Sequence, residues 1–263
     1  MLKKIPLLLL CCLLLLSACA TSPLGRSQLT LMSESEMNSM GAQSFAQLKK
    51  DKPISKNQAA IQFVQCVADA LIKEAGGGEW EVVVFDDKTF NAFALPGNKI
   101  GVHTGLIALV DNADQLAAVI GHEIGHVQAQ HGNERVSQNA AVSQSIALAQ
   151  AVLAPQSAFG QTAMGLLGTG AQYGIILPFS RLHESEADII GLDLMAKAGF
   201  DPQESVNLWV KMAKASQGQS PAEFLSTHPS NDTRIQDLQK NMPKALQLQQ
   251  QAIAAGKQPQ CSK

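Results

Sequence analysis

The chain lacks the clustered positive charge that a nucleic-acid partner would need. No basic block beyond the extreme N-terminus is longer than Lys49-Lys50, and 20 Lys and Arg stand against 22 Asp and Glu, a formal net charge of −2. Without a basic stripe to track phosphates, no nucleic acid is expected among its partners. Long apolar runs are also missing: the clearest, Leu7 to Leu16, is too short to span a bilayer comfortably. Charge of either sign is absent from Val136 to Ser180, a stretch rich in Ala, Gly, Ser, Gln and Leu. Its glutamines, repeated glycines and Pro155 argue against lipid exposure, although a transmembrane hairpin is one reading. Two helices buried in the core are the ordinary reading; a lid over a cleft, or a contact with a partner or membrane, are the others. There is no internal repeat and no domain linker, and the chain is long enough for one sizeable domain with a real core.

What is present begins with processing information. Lys3 and Lys4 precede the Leu7 to Leu16 run, the pattern of an export signal. The run ends in Leu16-Ser17-Ala18-Cys19, which resembles the lipobox of bacterial lipoproteins. That resemblance implies cleavage before Cys19, lipidation of its sulfur and acylation of the new N-terminus, enough acyl chains for stable anchoring. A plain secretory signal, with Cys19 incidental, is the alternative. Ala20 rather than Asp follows the cysteine, which by the sorting logic of such lipoproteins implies the outer membrane, facing the periplasm. Cleavage removes two lysines and no acids, leaving a slightly more acidic chain. Cys11 and Cys12 leave with the signal, so Cys66 and Cys261 are the cysteines left over. In an exported protein two such cysteines are expected to pair, with free buried thiols as the alternative. The bond would close a loop of roughly two hundred residues, stabilising by up to ~5 kcal/mol in the chain-entropy view.

The expected organisation is a removed signal over 1–18, a lipidated tether over 19–32, one domain over 33–255 and a tail over 256–263 tied by Cys261. Ser33 and Glu36 form a capping-box pair that predicts a helix start. A second helix is predicted from Ser55, with Gln58 as its partner, to the Gly76-Gly77-Gly78 stop. Trp80 to Phe85, Asn91 to Leu95 and Lys99 to His103 read as short strands separated by Asp-Asp and Pro-Gly-Asn turns. A helix is then predicted from Ala113 to about Gln130, capped by Asn112 with Gln115 and stopped at Gly132. Arg181 to Ala198, Asp201-Pro202 to about Ala215 and a short piece from Ser220-Pro221 read as further helices. The chain from Asn231 reads as helix interrupted near Pro243, and loose beyond Ala254. The fold class is α+β, mostly helical, with one small sheet.

Within the Ala113 helix, His122-Glu123-Ile124-Gly125-His126 places two imidazoles four residues apart. Four residues are about 40° around a helix axis, so both rings share a face and can bind one Zn²⁺, with Glu123 beside it as general base. A third protein ligand is needed, with one position left for water. His131, five residues past His126, points about 140° away and is read as a residue near the C-terminal dipole of that helix. Ala129 and Gly132 stand where a metzincin extension needs Gly and His, which excludes that class. Downstream, Glu184 and Asp188 share a helical face while Glu186 points elsewhere. One carboxylate can bind the metal as the other orients a ligand imidazole; a solvated acidic face is the ordinary reading.

At this point the chain resembles the gluzincin zinc metallopeptidases, the family of HtpX, BepA and LoiP. The matching pieces are His122-Glu123-Ile124-Gly125-His126, Ser180-Arg181 with Glu184 and Glu186-Ala187-Asp188, Ser226-Thr227-His228-Pro229 followed by Arg234, and Asn91 to Gly97. They span roughly residues 55 to 240, and the lipobox with the Cys66/Cys261 pair is most similar to the family's outer-membrane lipoprotein members. The resemblance implies a zincin-like domain with its sheet beside the zinc helix and one Zn²⁺ per chain held by His122, His126 and Glu184. It makes Glu123 the general base, Asp188 the partner of a ligand histidine, and His228 a histidine that approaches the metal, stabilising the oxyanion or blocking the open site. Arg234 divides between support of the site and a surface ion pair. His103 and His183 are read as structural.

The function this implies is a zinc endopeptidase that degrades misfolded or unassembled envelope proteins, anchored to the membrane through Cys19. The strand from Asn91 to Leu95 is a candidate edge for an extended substrate backbone. The alternative is a chaperone or assembly factor for outer-membrane proteins, in contact with their assembly machinery and cutting little. An intact Glu123 argues against a pure binder, because binding needs no general base.

Overall fold

A computed structural model describes residues 19–153, 177–215, 228 and 232–263. Its elements in chain order are β1 (Cys19–Thr21), β2 (Ser27–Leu29), α1 (Glu34–Asp51), α2 (Gln58–Glu74), β3 (Glu81–Phe85), β4 (Ala92–Leu95), β5 (Lys99–His103), α3 (Thr104–Leu109), α4 (Ala113–Gln128), α5 (His131–Leu153), α6 (Leu177–Ala198), α7 (Gln203–Ala215) and α8 (Asp232–Ala254). This is the mostly helical α+β fold expected. The chain divides into a smaller unit, residues up to Met37 with Ala129–Leu182, and a larger one, Asn38–Gln128 with His183–Lys263. The predicted helix at Ser220-Pro221, the export signal and residues 154–176 of the uncharged stretch lie outside the described residues. Among the described residues no helix is long and apolar enough to cross a membrane.

In the smaller unit the segment that reads as a plain tether is a hairpin. β1 and β2 pair antiparallel, Cys19 opposite Leu29, across a turn in which Gly25 takes φ 87°. The hairpin is held to the start of α5 by polar contacts rather than apolar burial. Arg26 grips the buried Glu134 with two 2.7 Å bonds, and Gln28 donates to Ala129 O and to Glu134. These contacts link residues more than a hundred positions apart, so local composition does not announce them. Ser33 and Glu36 do cap the helix start as expected: Glu36 accepts from the Ser33 N–H, and Ser33 Oγ accepts from the Glu36 N–H.

The larger unit is built on a three-stranded sheet of order β3-β5-β4, with β5 parallel to β3 and antiparallel to β4. The outer side of β3 is covered, since Ser55 N–H donates to Val84 O and Asp86 N–H to Pro53 O. Among the described residues β4 is the other edge. Phe45, Phe85 and Phe93 pack edge-on and stacked beneath the sheet with His103, ring centroids 6.0–6.3 Å apart. α2 buries Phe63, Val64, Val67, Ala68, Leu71 and Ile72 along one stripe at helical spacing. Each large member gains about 1.5–3 kcal/mol from leaving water, which outweighs the helix's weak local preferences. α2 begins two residues later than predicted because Asn57, not Ser55, caps it through the Ala60 N–H. It ends as expected where Gly76, Gly77 and Gly78 turn to positive φ.

α4 runs through the core, buried from Gln115 to Gly125, and packs on α2, β4 and α7. Asn112 Oδ1 accepts from the Gln115 N–H while Gln115 accepts from the Asp111 N–H, a reciprocal cap close to the predicted one. The helix stops at Gln128 rather than Gln130, with Gln130 at φ 51° making the break. His131 is therefore the first residue of α5, not the end of α4, which corrects the sequence-based expectation. α8 also departs from expectation: it continues through Pro243, because Leu238, Ala245 and Ala252 keep one buried stripe at seven-residue spacing. The tail beyond Ala254, expected to be loose apart from a tie at Cys261, is fastened at three points. Lys257 bonds Glu74, Cys261 forms a disulfide with Cys66 (Cα–Cα 5.7 Å), and Lys263 donates to Val110 O.

Candidate metal centre

The site forms where α4 and the part of α6 from His183 onward cross with almost no space between their backbones. A Cβ on Gly191 would lie 2.6 Å from His122 N; one on Gly125 would lie 2.8 Å from Ala187 O, and one on Gly121 3.0 Å from Gly191 O. Gly121 with Gly125, and Ala187 with Gly191, are four apart, so each helix presents a seam of small residues to the other. The close crossing sets Glu184 and Asp188 directly over His122 and His126. All four polar side chains are on rigid helices, and three of them are almost fully buried.

His122, His126, Glu184 and His228 converge, one donor atom from each lying within 4.8 Å of the others. His122 Nε2 is 3.0 Å from His126 Nε2, 3.3 Å from Glu184 Oε2 and 3.3 Å from His228 Nδ1. Glu184 Oε1 is 3.4 Å from His126 Nε2 and 3.0 Å from His228 Nδ1. Donors about 2.0–2.1 Å from a tetrahedral ion lie about 3.4 Å from one another, which is close to these spacings. Three imidazoles and one carboxylate also suit zinc chemically. The residues present therefore fit a zinc ion.

Around these donors lies a second set of buried partners. Asp188 Oδ1 is 2.8 Å from His122 Nδ1, so the aspartate accepts the Nδ1–H and leaves Nε2 facing the other donors. Arg234 holds Asp188 in a two-pronged grip, Nε to Oδ2 at 2.6 Å and Nη2 to Oδ1 at 2.7 Å, and reaches Glu184 Oε2 at 3.1 Å. It is 2 % exposed, which decides between the two readings of this residue: it belongs to the site and not to a surface ion pair. The Arg234 guanidinium lies over the ring of Trp209 on α7, 3.9 Å from Cζ to the ring centroid. Sequence reasoning offered no signal for Trp209, and none for the glycine seam beyond its four-residue spacing.

Glu123 is buried beside the donors. Its Oε2 accepts the Ala94 N–H of edge strand β4 at 3.0 Å, and its Oε1 faces His228 Nε2 at 3.4 Å. Burial raises the Glu123 pKa, outweighing the nearby His228 and His122 charges and the Ala94 bond. Burial also opposes ionisation of Glu184, but contacts with His122, His126 and His228 outweigh it and hold the carboxyl well below the usual range. The His122 imidazole is likewise depressed by burial and lifted further by Asp188 and Glu184, ending at about 9. Burial dominates at His126, whose pKa falls well below the ordinary value. His103 stands outside this group, buried on β5 with Nδ1 2.7 Å from Thr89 Oγ1.

Residues 55–242 match the model of Peptidase family M48. The chain belongs to this family. Among its relatives, the Mitochondrial metalloendopeptidase OMA1 of Schizosaccharomyces pombe is 38% identical over 199 residues, covering 74% of this chain and 57% of that one. The Beta-barrel assembly-enhancing protease of Yersinia pestis is 32% identical over 219 residues, 79% of this chain and 44% of its own length. The human mitochondrial Metalloendopeptidase OMA1 is 30% identical over 238 residues, 86% and 45% of the two chains. The chain thus spans about half the length of the curated relatives it matches. The resemblance drawn from the motif residues is borne out as membership of a metallopeptidase family, and the zincin-like α+β fold with it. All the residues on which that resemblance rests near the donors, from Asn91 to Arg234, fall inside the matched span.

Proposed function

We propose that this protein is a zinc endopeptidase acting on unfolded or unassembled polypeptides of the bacterial envelope, with His122, His126 and Glu184 as ligands of one ion. The observation that carries the reading is the buried group of donors at ion-binding spacing with Glu123 beside it. When bound, zinc brings the pKa of a coordinated water toward neutrality and polarises a scissile carbonyl. Glu123 is suited to take up the proton and pass it to the leaving amine: burial lifts its pKa toward the range a general base needs, and the Ala94 N–H fixes its orientation. Asp188 holds one His122 proton on Nδ1, so that Nε2 is the nitrogen left to lose its proton and bind the ion, and Arg234 keeps Asp188 ionised in turn. Apart from the Ala94 N–H that Glu123 accepts, the outer side of β4 offers backbone groups to an extended substrate. His228 stands at the fourth corner, where it must yield to substrate or water before the site can work.

The lipobox at Cys19 supports lipid anchoring at the outer membrane, facing the periplasm. The Cys66–Cys261 bond supports an oxidising compartment. Purified protein should cleave an unfolded substrate such as casein, lose that activity to a chelator, and lose it in Glu123→Gln without losing metal. A Glu123→Gln variant as active as wild type would overturn the mechanism. A second reading is favoured by the similarity to a Beta-barrel assembly-enhancing protease: an assembly factor for outer-membrane proteins that cuts little. Rescue of barrel assembly in cells by Glu123→Gln, at wild-type level, would favour it.

A further inference from the structure

We infer that Trp209 is a positioning residue of the metal centre, and that its aromatic face, beyond its bulk, sets how tightly the centre holds zinc. The inference rests on the metal-site reading above. Arg234 uses its in-plane donors on several partners: Nε and Nη2 on Asp188, Nη1 on Glu184 at 3.1 Å and on His228 O at 3.4 Å, with Nη2 also 3.4 Å from His122 Nδ1. A planar cation so engaged at its edges can still tilt about those bonds. Trp209 removes that freedom by lying 3.9 Å from the guanidinium carbon, the geometry in which an indole face attracts a cation most strongly. The same ring meets His122 edge-on, centroids 5.8 Å apart at 72°. One side chain therefore fixes Arg234 from its face and His122 from its flank.

Zinc affinity is the quantity this arrangement controls. Arg234 orients Asp188, Asp188 orients His122 through Nδ1, and Arg234 also touches Glu184, so two of the proposed ligands depend on the guanidinium plane. Trp209 is buried on α7, which packs on both α4 and α8, the helices that carry His122 and Arg234. Its place thus ties three helices to one geometry. Bulk alone would be met by any large apolar residue. A stacked cation needs a π face.

The test compares Trp209→Phe with Trp209→Leu, both apolar and both smaller than Trp, in the purified full chain. Zinc affinity is measured by competition with a colorimetric chelator, and folding by circular dichroism and thermal melting. Phe should bind zinc within about threefold of wild type, while Leu, of similar thermal stability, should bind about tenfold more weakly. Equal affinities for Phe and Leu would overturn the inference while leaving the metal centre intact. A wild-type chain that takes up no zinc would overturn the metal-site reading and this inference together.

Discussion

Gly191 lies so close against His122 that a Cβ on it would come within 2.6 Å of the histidine's backbone nitrogen. The contact is with main chain, which cannot swing aside as a side chain could. Gly191→Ala should therefore force α4 and α6 apart, destabilising the protein by about 1–3 kcal/mol as overpacked cores do. Because the displaced helices carry the proposed ligands, zinc affinity should fall as well. Thermal melting with a zinc competition assay checks both, and a variant with unchanged affinity would separate the seam from the site.

Asp188→Asn should keep the shape of the site while losing the carboxylate that fixes the His122 Nδ1 proton. Partners of metal-ligating histidines typically contribute 10–100-fold in affinity, and a loss of about that size is expected here. The same change leaves the buried Arg234 with Glu184 as its remaining carboxylate partner, so urea denaturation should show a stability loss too.

Metal binding should depend on pH with a definite sign. The His122 pKa stands at about 9, so below that value the imidazole carries a proton that an incoming ion must displace. Apparent zinc affinity is expected to rise with pH up to about 9, by roughly tenfold per unit from this group alone. Calorimetry in buffers of different ionisation enthalpy would count the released protons; none released at pH 7 would contradict the expectation.

His228→Ala should raise basal peptidase activity several-fold. Its Nδ1 occupies a corner of the donor group that a catalytic zinc needs open, and removing the imidazole leaves His122, His126 and Glu184 in place. Metal content measured beside casein hydrolysis distinguishes an unblocked site from a damaged one.

Replacing Cys66 and Cys261 by serine should cost about 2–5 kcal/mol in unfolding free energy, the usual range for a native disulfide. Urea curves of the wild type with and without reductant should differ by a similar amount. Equal curves would mean that Lys257, Lys263 and packing hold the tail by themselves.

Much of the centre was readable because helical spacing is a local property. His122 with His126, and Glu184 with Asp188, announce shared faces from their four-residue intervals alone. The three strands of the sheet were legible for the same reason, from short runs bounded by turn residues. What escaped was set by contacts across the chain. The hairpin at Cys19 to Leu29 is organised by Glu134, more than a hundred residues away, and the tail, beyond its expected tie at Cys261, by Glu74 and Val110. Pro243 suggested a break that burial of Leu238, Ala245 and Ala252 overrides. Nothing in the sequence marks Trp209, whose place is set by Arg234 over its ring.

The bond between Cys66 and Cys261 has a topological consequence. Every side chain of the proposed centre, from His122 to Arg234, lies between these two cysteines, which are 195 positions apart in sequence. The working part of the molecule is thus a covalent ring. Exposed loops of a peptidase are at risk from neighbouring copies of itself. A single nick inside the ring only linearises it, and the sulfur bridge keeps both fragments on one molecule, available to stay folded around the same ion. Such nicked molecules should migrate as one band without reductant and as two with it.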